Sequence, residues 1–161
     1  MGLDNNLEMK VTNRHTGTTI SREVCYWRKF WGLRDKILHM FDMKDDELSY
    51  VFNDAATIHD LIELIDTESE RAADEREHLS HIWEIASEYR QCQQNLLNLK
   101  IVAHWLDGHF GNDEFFDWFI HHLETYSDNE DADKFFDEVL AADGDCEPPE
   151  FEIEFEFVDS Y

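Results

Sequence analysis

The chain has 161 residues, 42% hydrophobic and 14% aromatic, with 38 acidic against 13 basic side chains and a formal net charge of −25. That is enough apolar material for one domain with a real core, and it excludes a disordered acidic tail. A surface this negative repels nucleic acid and anionic membranes, so cations or basic protein surfaces are the expected partners. The charge is uneven, +3 over residues 1–44 and −28 over residues 45–161.

From the N-terminus, Leu7, Met9 and Val11 alternate with Glu8, Lys10 and Thr12, which predicts a strand. Asn13 to Gly17 reads as a turn and Thr18 to Ile20 as a returning strand, so residues 7–20 form a hairpin. Ser21 is placed to cap a helix expected over residues 22–42, with Glu23 in its first turn. Its stripe is Val24, Trp27, Trp31, Arg34, Leu38 and Phe41, and Arg28, Lys29, Arg34 and Lys36 make it the one basic element. In an acidic protein such a helix is expected to pack against the protein's own carboxylates.

A charged link, Lys44 to Glu47, precedes a short apolar piece, Leu48 to Phe52. Thr57 and Asp60 read as a capping box opening a helix over residues 58–66, and Thr67 as the cap of a long helix over residues 68–106. This longest stretch without Pro or Gly carries a seam of His78, Ile82, Ile85, Tyr89, Cys92, Leu96, Leu99, Ala103 and Leu106. Leu79, Trp83, Leu97 and Val102 widen it, Gly108 stops it, and residues 68–77 are expected to be solvated. A straight helix of about 39 residues is roughly 58 Å long. It is therefore expected to project, to kink, or to serve as a dimer seam.

Gly108 to Asn112 reads as a turn, followed by a buried aromatic helix over residues 113–126 and a last helix over residues 130–142 with Phe135, Phe136, Val139 and Leu140 inward. After a break at 143–149, Phe151, Ile153, Phe155 and Phe157 alternate with Glu150, Glu152, Glu154 and Glu156. This predicts a half-buried strand over residues 150–158 with one acidic face, and its natural partner is the strand at Leu7 to Val11. The fold expected is a single helix-dominated α+β domain: one long central helix, several shorter helices and a small antiparallel sheet of the terminal strands.

The stretch CYWRKFWGLRDKIL, Cys25 to Leu38, resembles small uncharacterised proteins of bacteriophages and prophages that carry a YWRK segment at the opening of an early helix; here it is Tyr26, Trp27, Arg28 and Lys29. Those proteins often follow with an Asn and a His, where this chain has Phe30, Trp31, Gly32 and Leu33. The resemblance implies an origin in a mobile element and carries no functional residue across. The acidic character is similar to that of DNA-mimic anti-defence proteins.

Chemistry-bearing patterns are few. Cys25, Cys92 and Cys146 make no CxxC pair and no disulfide framework, which fits a reducing cytoplasm. The N-terminus has no apolar signal region, and no run is long enough to span a membrane. Glu75 and His78 have di-iron ExxH spacing, with His81 a turn on, but a second ExxH is missing, and Asp117 with His121 and His122 goes no further. No metal or other cofactor is expected. There is no GxSxG, P-loop or Rossmann glycine pattern, so no enzyme is expected and no catalytic residue is assigned.

What remains is the acidic surface. Carboxylates at i and i+2 of a strand recur about every 6.7 Å, comparable with the step between phosphates along one nucleic-acid backbone. Glu150, Glu152, Glu154 and Glu156 offer such a line, with Asp128, Glu130, Asp131, Asp133, Asp137, Asp143 and Asp145 just upstream. These residues are the expected partner-binding set. The function expected is inhibition of a basic, nucleic-acid-binding host defence protein, a CRISPR effector or restriction enzyme, by mimicry of nucleic-acid charge. Exposed aromatics, Trp105 or Trp118, would add specificity. The alternatives are a phage interaction or scaffold protein that homodimerises through the 78–106 seam, and a metal-dependent enzyme.

Overall fold

The computed structural model describes residues 4–44, 47–78, 83–123, 131–142 and 150–160. Within them lie β1 (Asp4–Asn13), β2 (Thr19–Arg28), α1 (Trp31–Met40), β3 (Ser49–Phe52), α2 (Ala55–His78), α3 (Trp83–Leu106), α4 (Asn112–His121), α5 (Ala132–Ala142) and β4 (Phe151–Ser160). The α+β class and the pairing of the terminal strands are as the alternation predicts. The strands form an antiparallel sheet in the order β2-β1-β4-β3, so the last strand is inserted between the first and third.

The inner face of the sheet carries Leu7, Met9, Val11, Ile20, Trp27, Phe52, Phe155 and Phe157, all buried beneath the helices. Phe41 at the end of α1 stacks on Tyr50 of β3, with ring centroids 4.4 Å apart, and reaches Phe157 at 5.8 Å. At the other end of β4, Phe116 of α4 meets Phe151 at 4.9 Å and Phe135 of α5 at 4.9 Å. Burying each such ring contributes roughly 1.5–3 kcal/mol. The aromatic helix is central, as its composition predicts, although residues 124–126 of the expected range lie outside the described residues. Leu140, expected inward, is exposed.

The expected helix over residues 22–42 is not formed as one element. Its first seven residues continue β2, and α1 begins at Trp31. The reason is a bulge. Leu7 pairs with Cys25 while Glu8 pairs with Glu23, leaving Val24 as the extra residue. Both Val24 and Cys25 are buried, so the apolar positions fall at Ile20, Val24 and Trp27. Steps of four and three imitate a helix in a strand. Tyr26 to Lys29 therefore close a strand instead of opening a helix, and Lys29 turns the chain at φ 54°. Trp31, expected in the stripe, is exposed.

The single long helix is also replaced. α2 starts at Ala55, a turn earlier than expected, because the Asp54 carboxylate accepts the Thr57 backbone N–H (2.9 Å) and hydroxyl (2.7 Å). These bonds hold its carboxyl below the usual range, the hydroxyl bond being the larger cause. Thr67 caps nothing; its hydroxyl donates to the Glu63 carbonyl inside a continuous helix. α2 and α3 then run antiparallel, tied by His59 to Asp107 (3.0 Å), Ser69 to Gln93 (2.6 Å) and Arg71 to Glu88 (3.0 Å). Residues 79–82 between them lie outside the described residues.

The seam residues Ile85, Cys92, Leu96, Leu99 and Ala103 are buried inside this chain, where they contribute to its own core. Leu97, expected beside the seam, stands exposed. Glu68, Ser69 and Ala72, expected in water, are buried. Glu68 is held by Lys36 of α1 and by Arg71, 3.0 Å away, and Arg71 also meets Glu75. Gly108, with φ 80°, ends α3 as expected: its N–H donates to the Trp105 carbonyl and the His109 N–H to that of His104.

Candidate functional site

The outer face of the sheet follows from the same alternation that fills the core. Glu152, Glu154 and Glu156 occupy every second position of β4, with the partly buried Ile153 and the buried Phe155 between them. The register sets Glu156 opposite Glu8, and Glu8 opposite Glu23, so three carboxylates stand side by side across β4, β1 and β2. Neighbouring strands are about 4.8 Å apart, and like charges directly opposite one another destabilise a sheet. Lys10 sits opposite Glu154, and Thr12 opposite Glu152. Glu8, Glu152, Glu154 and Glu156 make no ion pair or side-chain hydrogen bond to any described residue. The face is thus a line of carboxylates along β4 crossed by a row running to β2.

Sequence reading found the line and missed the row. Glu8 was legible as a polar strand position, but its register against Glu156 was not. Glu23 falls in the part of the expected helix that is strand β2, and the Val24 bulge hides that strand's alternation. Of the other expected residues, Glu150 is tied to Arg14, by its carboxylate at 3.8 Å and by its backbone carbonyl at 2.9 Å. Asp131, Asp133 and Asp137 are exposed around α5. Phe135 and Val139 turn the opposite side of that helix into the core, against the inner-face residue Phe151. The α5 acids and the β4 glutamates therefore lie on different sides of the sheet and do not form one surface. Asp128, Glu130, Asp143 and Asp145 lie outside the described residues.

The basic helix meets its own carboxylates, as expected. Arg34, buried, donates from Nε to Asp159 Oδ1 (2.9 Å) and from Nη2 to Oδ2 (2.8 Å), and Asn5 also donates to Asp159. This charge-assisted pair ties α1 beneath β4 and β1.

The free edge of β2 is closed by α3. Gln91 accepts the Arg28 N–H (2.7 Å), Asn95 accepts the Tyr26 N–H (3.1 Å) and donates to the Tyr26 carbonyl (3.0 Å), and Asn98 donates to the Val24 carbonyl (2.8 Å). Amides at i, i+4 and i+7 of a helix match alternate residues of a strand and satisfy the edge that a fifth strand would otherwise pair.

Above this ladder lies an open cleft of about 740 Å³, walled by Glu23, Tyr26, Arg90, Gln94, Leu97, Trp118, His122 and Leu123 among others. Trp118 is partly buried here, whereas Trp105, also expected to be exposed, is buried with its indole N–H donating to Asn112 (2.8 Å). Cys25 and Cys92 are both buried as free thiols. Burial pushes Cys25 well up, and burial first among its causes pushes Cys92 up to about 12. Among the described residues no three His, Cys, Asp or Glu side chains converge as metal ligands, and no helix is long and apolar enough to cross a membrane.

No protein-family model, curated protein or solved structure matches this chain.

Proposed function

We propose that this chain acts by binding a basic, nucleic-acid-binding protein, presenting carboxylates where phosphates would lie. The observation that carries the reading is the outer sheet face: Glu152, Glu154 and Glu156 in line, crossed by Glu156, Glu8 and Glu23. Like charges this close weaken the fold, and Glu8, Glu152, Glu154 and Glu156 make no ion pair with any described residue. A rigid strand holds them about 6.7 Å apart along β4, the scale of a phosphate backbone. The partner class that fits is a bacterial defence nuclease, a CRISPR effector or a restriction enzyme, in keeping with the resemblance of the Cys25 to Leu38 stretch to phage proteins.

Affinity capture from bacterial lysate at low salt, with elution by duplex DNA or guide RNA before any rise in salt, tests it. The expected result is a nucleic-acid-binding protein released by the competitor and bound at least about tenfold more weakly at 200 mM than at 50 mM salt. Retention of proteins that ignore competitor nucleic acid would sink the reading.

A further inference from the structure

We propose that the cleft between β2 and α3 receives an arginine side chain of the same basic partner; this rests on the charge-mimic reading and adds a specificity pocket to it. The carboxylate row Glu156, Glu8, Glu23 ends in this cleft, because Glu23 is both its last member and a wall residue. A basic segment lying along the row is led to the cleft mouth.

The interior suits a guanidinium better than an ammonium. Tyr26, 39% exposed, and Trp118 offer aromatic faces, on which the flat arginine head stacks. Gln94, whose amide N–H donates to Asn98, supplies a carbonyl oxygen, and Leu97, 57% exposed, covers an aliphatic stem.

The cleft is also polarised. The β2–α3 bonds pair Val24 with Asn98 at one end and Arg28 with Gln91 at the other. Glu23 therefore stands at the Asn98 end, while Arg90, beside Gln91, marks the opposite end and repels a cation there. Trp118, His122 and Leu123 come from the C-terminal end of α4, whose carbonyls carry partial negative charge. The Glu23 end is the seat for the incoming charge.

The test titrates the intact ¹⁵N-labelled protein with hexa-arginine and, separately, hexalysine amide. Hexa-arginine is expected to shift the Tyr26, Leu97 and Asn98 amides and the Trp118 indole, and hexalysine to shift the sheet-face glutamates without them. Tyr26→Leu and Trp118→Leu should each weaken hexa-arginine about two- to fivefold and leave hexalysine unchanged. Cleft shifts equal for both peptides, or arginine shifts confined to β4 and β1, would overturn the arginine pocket while leaving the charge-mimic face standing. Cleft shifts with a silent sheet face would overturn the charge-mimic reading and keep the pocket.

Discussion

The two faces of the sheet are built from the same strands with the same period, yet they obey opposite rules. On the inner face every second residue is buried, and Arg34, the buried α1 charge that packs beneath it, is matched by Asp159. On the outer face the same strands set Glu8 beside Glu156 and Glu23, and neither Glu8 nor Glu156 has an ion-pair partner among the described residues. The inner face tells the chain how to fold. The outer face costs stability, and we propose that a partner outside the chain accounts for it.

Substitutions on the two faces should therefore separate in sign as well as size. The largest loss is expected at Asp159→Ala, which strips a buried guanidinium of its buried carboxylate partner. About 3–5 kcal/mol should disappear in urea titration, and much of it should return when Arg34→Met accompanies Asp159→Leu. Next comes Asn95→Ala, which strands the Tyr26 N–H and carbonyl at the sheet edge; roughly 1–3 kcal/mol is expected in the same assay.

Asp54→Ala removes the cap of α2 for about 1 kcal/mol. Its pH dependence gives an independent check. The folded-state carboxyl is depressed, so its contribution is present above the usual aspartate range near pH 4 and is lost as pH falls through the lowered value. The wild-type minus Asp54→Ala difference should therefore shrink on acidification. The smallest change in stability has the opposite sign: Glu8→Gln should raise it by about 0.2–1 kcal/mol by relieving the row, while weakening any DNA-displaceable partner. A loss of stability at Glu8→Gln would break the contrast between the faces. On the core side, a Cys146→Ser protein should react with a thiol reagent at pH 8 slowly when native and fully at Cys25 and Cys92 once unfolded.

What could be read from the residues follows the same division. The terminal strand was legible because apolar residues and Glu alternate without interruption, and its partner because Leu7, Met9 and Val11 keep the same beat. β2 was not, since one bulged residue at Val24 turned a period of two into steps of four and three. The reversal between α2 and α3 carries no Pro or Gly, and it is written in pairings such as Ser69 with Gln93 that only three dimensions bring together. Half of the candidate surface was visible for the same reason: a line along one strand is a sequence pattern, whereas a row across three strands is a register.

The most direct test compares capture by the wild-type protein with capture by a variant in which Glu8, Glu152, Glu154 and Glu156 are all Gln. The account predicts a variant with an unchanged or slightly higher Tm that no longer retains the DNA-displaceable protein. A variant that folds equally well and captures the same protein in the same amount would contradict it.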